Sequence, residues 1–189
     1  MPSGETMVRM GELAATAGGG VLCTIGLGSC VGVALVDDDR GVAALAHVVL
    51  PDSTPHRRRG GAVETPGKFA DTALPLLVER AVGEGAGRRQ LRAVLVGGAS
   101  MFALRRGGDA QEVGERNVSA VRDALRRLAV PVAAEDVGGG SGRTVRVQAD
   151  GTVRVKVAGG GETVLRAPGA GRVRATSRPT SPSILRSAA

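Results

Sequence analysis

Apolar residues in this chain come in short runs divided by glycine, proline and charged turns. Residues 8–16 and 21–25 each read as a strand, separated by Gly18, Gly19 and Gly20, and Gly26-Leu27-Gly28 makes a second break. Residues 31–36 and 42–50 are β-branched or apolar runs joined by Asp37-Asp38-Asp39-Arg40-Gly41, a pattern that predicts a hairpin with a solvated turn. A loop follows over 51–65, carrying His56-Arg57-Arg58-Arg59 as an exposed basic run. Phe69, Ala73, Leu76, Leu77 and Val82 repeat at helical spacing and predict a helix over 67–83, with a kink or early end at Pro75. Residues 91–96 read as a buried strand ending at Gly97-Gly98. Asn117 is placed to cap a second helix whose Val118, Val121, Leu125 and Leu128 form an apolar stripe. Residues 144–149 and 152–157 alternate around Asp150-Gly151, the dipeptide of a two-residue type I′ turn.

Helices and strands mix without a regular strand-helix-strand rhythm, and hairpins imply antiparallel pairing. The expected class is α+β: a layered α/β sandwich of mixed sheets with antiparallel hairpins and flanking helices. Residues 1–160 read as one domain. Residues 161–189 read as an Arg/Ser/Pro-rich tail, and from Ala167 onward no period remains, so disorder is expected there.

Composition sharpens this picture in three places. The 189 residues are 42% hydrophobic and 23% charged, which is globular composition with enough chain for a core. The longest apolar run, residues 42–50, contains His47 and falls far short of the roughly 18 residues that span a bilayer. With no basic-then-apolar leader at the start, a cytoplasmic protein without membrane insertion is expected. Net charge is +7, but five arginines and one acid after residue 161 supply +4 of it. The chain has no Trp, no Tyr and two Phe, so it lacks the stacking platforms of single-stranded nucleic-acid binders, and no nucleic-acid partner is expected.

Reactive side chains converge only between Thr24 and His47. Cys30 sits in Gly28-Ser29-Cys30-Val31-Gly32, between a glycine turn and a strand. A hydrolase nucleophile elbow would continue into a helix, whereas residues 31–36 read as a strand, and a dinucleotide fingerprint fails because Val31 stands where glycine is required. If residues 37–40 form a four-residue loop, Val36 faces Gly41 and Cys30 lies directly opposite His47, with Cβ atoms roughly 4.5–5.5 Å apart. A five-residue loop that takes in Gly41 moves His47 to the other face. On residues alone both registers stay open, as does the reading in which Cys30 and His47 are merely packed. Strand parity puts Cys23 with Val21 and Ile25, as a core thiol, and turns Thr24 the other way. Cys23, Cys30, His47 and His56 contain no closely spaced chelating pair, so no metal site is expected.

These residues carry a resemblance to a known family. Thr24-Ile25-Gly26-Leu27-Gly28-Ser29-Cys30-Val31, Ala46-His47 leading to Leu50-Pro51, and Lys68-Phe69-Ala70-Asp71 resemble motifs of the CheD family of chemoreceptor glutamine deamidases. So do Gly97-Gly98-Ala99 with Met101-Phe102, Gly114-Glu115-Arg116-Asn117, and Gly142-Arg143-Thr144-Val145 leading to Gly151, in the same order. The chain departs from the family at Ala43-Ala44-Leu45, Val147 and Phe69, none of which is a position of the implied site. The resemblance implies Cys30 as nucleophile, His47 as its base and Thr24 as their support, with backbone N–H groups around Gly28 and Ser29 holding the oxyanion. It further implies that no cofactor is used, that the substrate lies on the cytoplasmic helices of a chemoreceptor, and that a CheC-type phosphatase is a second partner.

Overall fold

The computed structural model describes residues 4–57, 61, 63–100 and 109–169, and of residues 109–112 the backbone only. Among the described residues, ten strands form two five-stranded sheets. The first sheet contains β1 (Glu5–Met7), β3 (Val21–Leu27), β8 (Arg143–Gln148), β9 (Val153–Val157) and β10 (Glu162–Arg166), side by side in that order. The second is ordered β2 (Leu13–Ala17), β5 (Val42–Val48), β4 (Val31–Asp37), β6 (Arg92–Gly97) and β7 (Val132–Val137). Both sheets are mixed: β1 runs parallel to β3 and β6 parallel to β7, and the other pairs are antiparallel. Helices α1 (Ala70–Gly83) and α2 (Asp109–Arg127) complete the α+β class and the layered sandwich expected from the sequence.

Side-chain parity on β4 and β5 explains the three layers. Val31, Val33 and Leu35 with Val42, Ala44, Ala46 and Val48 pack against Leu74, Leu77, Val121 and Leu125 of the helices. The alternate residues Ala34, Val36, Ala43 and Leu45 pack against Leu22, Leu27, Val145 and Val155 of the first sheet. Both faces are therefore covered, which is why β4 and β5 read as continuous apolar runs and not as alternating ones. Each fully buried Leu or Val contributes about 1.5–3 kcal/mol, so the central pair anchors the fold.

Several local expectations are corrected. The run 8–16 is not one strand: it breaks at Gly11, whose φ of 76° turns the chain from the first sheet into the second. Helix α1 begins at Ala70 after a short 3-10 turn and passes through Pro75 to Gly83, because Ala73, Leu74, Leu77 and Val78 hold it against the core on both sides of the proline. Asn117 is not a cap, since α2 starts eight residues earlier. Strand β7 was not anticipated. The β8–β9 turn is no type I′ turn: Val147 pairs with Val153, the loop is one residue longer, and only Gly151 has a positive φ, at 92°. Residues 162–166, assigned to the tail by composition, form β10 along the edge of the first sheet. The expected disorder falls largely on 170–189 and lies outside the described residues, as do Arg58, Arg59, Met101 and Phe102. Among the described residues, no helix is long and apolar enough to cross a membrane.

Candidate active site

The β4–β5 hairpin carries the base. Val36 pairs with Ala43 and Asp37 with Val42, so the loop is residues 38–41, with Gly41 at a φ of 60°. His47 consequently pairs with Gly32, and neither register weighed from the sequence is the observed one. Gly41 belongs to the loop and Asp37 to the strand, which slides the pairing by two and keeps the parity. Cys30, two residues before Gly32, is therefore a diagonal neighbour of His47 on the same face, a relation of about 7–8 Å between backbones.

That face is the one between the sheets, where Gly32 leaves room. A Cβ there would meet the Leu27 and Val145 side chains. His47 is 1% exposed, and its main chain is fixed from both sides, its N–H donating to Glu12 O at 3.1 Å and its C=O accepting from Gly11 at 2.9 Å. Across the layer, Thr24 Oγ1 lies 2.7 Å from His47 Nδ1, and Thr24 is itself fully buried. Thr24 faces inward with Leu22, and a bulge at Ile25 and Gly26, where Gly26 has a φ of 74°, restores the inward face at Leu27. With Nδ1 occupied by Thr24, His47 Nε2 is left buried, with no hydrogen-bond partner among the described residues. A buried, unpaired ring nitrogen costs free energy unless something uses it.

Cys30 sits on the loop between β3 and β4 and is half-buried. Glycine backbone holds that loop from outside: Gly98 N–H donates to Cys30 O at 2.8 Å and Ala99 N–H to Gly28 O at 2.7 Å. Gly97 and Gly98 have positive φ, 112° and 63°, and a Cβ on Gly97 would run into the Cys30 carbonyl oxygen. From the helix side, Asn117 Nδ2 donates to Ser29 O and to Val49 O, both at 2.9 Å. Gly28 N–H donates to Gly26 O at 3.0 Å, so it is already spent, contrary to the expectation that it holds an oxyanion. Ser29 and Cys30 are left as the N–H donors with no backbone acceptor among the described residues.

Burial acts on both candidate groups. Burial pushes the Cys30 thiol above its ordinary value of 9.0, with the residue's own backbone N–H pulling part of the way back. Burial also pushes His47 below its ordinary 6.5. Both shifts favour the neutral forms, the thiol of Cys30 and the uncharged imidazole of His47. Cys23 is fully buried, as expected of a structural thiol; it lies on the outer face of the first sheet beside Arg146, which ion-pairs with Glu5 and Glu162 at 2.9 Å each, and burial first and Glu5 second push its thiol up to about 11. His56 stacks near Phe69, with ring centroids 5.0 Å apart, and among the described residues no three His, Cys, Asp or Glu side chains are grouped to hold a metal ion. Sequence reasoning missed Asn117 as a site residue, because its place in Gly114-Glu115-Arg116-Asn117 suggested a helix cap.

Comparison with known proteins decides the family. A family model described as CheD chemotactic sensory transduction matches residues 49–157, more than half of the chain, beginning two residues after His47. A protein of Clostridium botulinum named "Probable chemoreceptor glutamine deamidase CheD" is 41% identical over 160 residues, 84% of this chain and 96% of its own. The chain belongs to the CheD family. A relative of that name from Caldanaerobacter subterraneus is 41% identical over 85% of this chain and 98% of its own, and Halalkalibacterium halodurans has a "Chemoreceptor glutamine deamidase CheD" that is 48% identical over 65% of this chain and 74% of its own. CheD membership makes the buried His47 Nε2, with no hydrogen-bond partner among the described residues, the feature to explain.

Proposed function

We propose that this protein deamidates glutamine side chains of chemoreceptors to glutamate, with Cys30 as nucleophile, His47 as general acid and base, and Thr24 as the residue that sets the imidazole. The observation that carries the reading is the buried Thr24–His47 pair, which leaves Nε2 without a partner among the described residues, on a strand register that makes Cys30 a diagonal neighbour of His47. The reading takes the tautomer in which Nδ1–H donates to Thr24 Oγ1, since it alone puts on Nε2 the lone pair a base requires.

The chemistry follows from that geometry. As a carboxamide arrives over the half-buried Cys30, Nε2 takes the thiol proton while sulfur bonds to the carboxamide carbon. The negative charge moves to the carbonyl oxygen, where the N–H groups of Ser29 and Cys30 receive it. The carbon–nitrogen bond then breaks, and His47 gives its proton to the departing ammonia, leaving a γ-glutamyl thioester. Water, losing a proton to the same Nε2, attacks the thioester carbon, and the thiol is restored with glutamate released. Each step draws on groups of this chain and on water. Because His47 is sealed and Cys30 is not, the substrate enters from the Cys30 side, which suits a side chain projecting from a receptor helix on the cytoplasmic side.

The test is peptide mass spectrometry of a receptor cytoplasmic fragment incubated with the intact protein and, in parallel, with Cys30→Ala. Conversion of particular glutamines by the intact protein alone is expected. Absence of conversion on several receptors, with both forms folded, overturns the reading and leaves binding of a CheC-type phosphatase as the activity to assay.

A further inference from the structure

We propose that Asn117 is a positioning residue that aims the Cys30 backbone N–H at the reacting centre and ties the nucleophile loop to the end of the histidine strand. This rests on the deamidase reading of the site. Asn117 is fully buried in the middle of α2, 88 residues from Ser29 and 68 from Val49, yet its one amide group bonds both of their carbonyls. The assignment of its nitrogen follows from the partners: reversing the amide would set Oδ1 against two carbonyl oxygens.

The peptide unit supplies the mechanism. Ser29 C=O and Cys30 N–H belong to one planar trans unit and point in opposite directions. By holding Ser29 O toward the helix, Asn117 turns the Cys30 N–H away from it, toward the open side where the sulfur stands. That same N–H already supports its own sulfur, the influence that partly offsets burial of the thiol. When charge moves from sulfur to the substrate oxygen, a donor fixed in this direction stabilises both anions in turn. The second bond, to Val49 O two residues after His47, keeps the base and nucleophile in one frame. Helix α2 can reach this far in because Gly114 packs against the backbone of Gly98 and Ala99.

The experiment compares Asn117→Ala and Asn117→Asp with the intact protein. Asn117→Asp keeps the volume and replaces the donor with oxygen, so it reports on the bond if the alanine variant does not fold. Two readouts are made on folded protein: the pH dependence of Cys30 alkylation by iodoacetamide, followed on its own peptide so that Cys23 does not contribute, and the deamidation rate of a receptor fragment. A folded variant is expected to alkylate Cys30 several-fold more slowly at pH 8, with the profile displaced to higher pH. Its kcat should fall about 100-fold, as for loss of an aligned oxyanion donor, while KM changes less than about threefold. An unchanged alkylation profile in a folded variant overturns the proposal even if stability drops. Because alkylation needs no receptor, failure of the intact protein to deamidate would sink the deamidase reading separately.

Discussion

Cys30 and His47 are displaced from their ordinary ionisation in opposite directions by the same cause, burial between the sheets. The imidazole is lowered and the thiol raised, so the form in which both are neutral extends over a wide pH range. Only that form can begin the reaction by handing the sulfur proton to Nε2. The rate constant kcat/KM should therefore rise through an acid limb centred below 6.5, stay level across neutrality, and change again only above 9.0, where the thiol begins to ionise unaided. A deamidation profile from pH 5 to 10 checks this. A thiol that alkylates as an anion at pH 6 would mean that the resting site is an ion pair, and an acid limb centred above 6.5 would mean that burial does not hold His47 below its ordinary value. Thr24 belongs to the same balance, since its hydroxyl lies on Nδ1 while Nε2 has no partner among the described residues.

Among the elements, the glycine pair after β6 decides where Cys30 is held. Gly97→Ala should cost about 1–3 kcal/mol through its positive φ and should also push the Cys30 carbonyl out of place. Gly159, at a φ of 78° with open space around it, supplies the comparison: alanine there should weaken the fold and leave deamidation intact. Denaturation midpoints and deamidation rates of the two variants settle the matter, and equal activities would detach the glycine pair from the site. The sequence showed this region unevenly. Apolar runs revealed β3, β4, β5 and the helices, because burial on both faces leaves a strong signature. Register was hidden, since Asp37 and Gly41 can each serve strand or loop and only tertiary packing chooses. Strand β7 was hidden too: its Val-Ala-Ala-Glu-Asp-Val is half-exposed at an edge and lacks a buried face to mark it. Asn117 could have been suspected only from its polarity within an apolar helical stripe, the pattern of a side chain needed indoors.

For the whole molecule, the farthest reach of chain outside the site is also bound into the sandwich. Arg166, at the end of β10, donates to Asp38 Oδ1 at 2.9 Å, to Asp38 Oδ2 at 2.8 Å and to Gly151 O at 2.7 Å. Asp38 lies in the β4–β5 turn, so this buried pair joins the edge of the first sheet to the hairpin of the second. The turn is solvated only at its tip, Asp39 and Arg40: Asp38 is half-buried, and Asp37 is buried and accepts from Gly87 N–H at 2.7 Å. Removing one member of such a pair strands the other, at about 3–5 kcal/mol. Arg166→Met should therefore lower stability by an amount in that range. A chain ending at residue 161 should lose at least as much relative to one ending at 169, because it also uncovers β9. Thr24, Cys30, His47 and Asn117 lie on β3, β5, α2 and the loop between β3 and β4, with β8 and β9 between them and β10. Deamidation per folded molecule should then be preserved while the denaturation midpoint falls. Equal midpoints for the chains ending at 161 and 169 would instead make residues 162–169 an appendage, as their composition alone suggested.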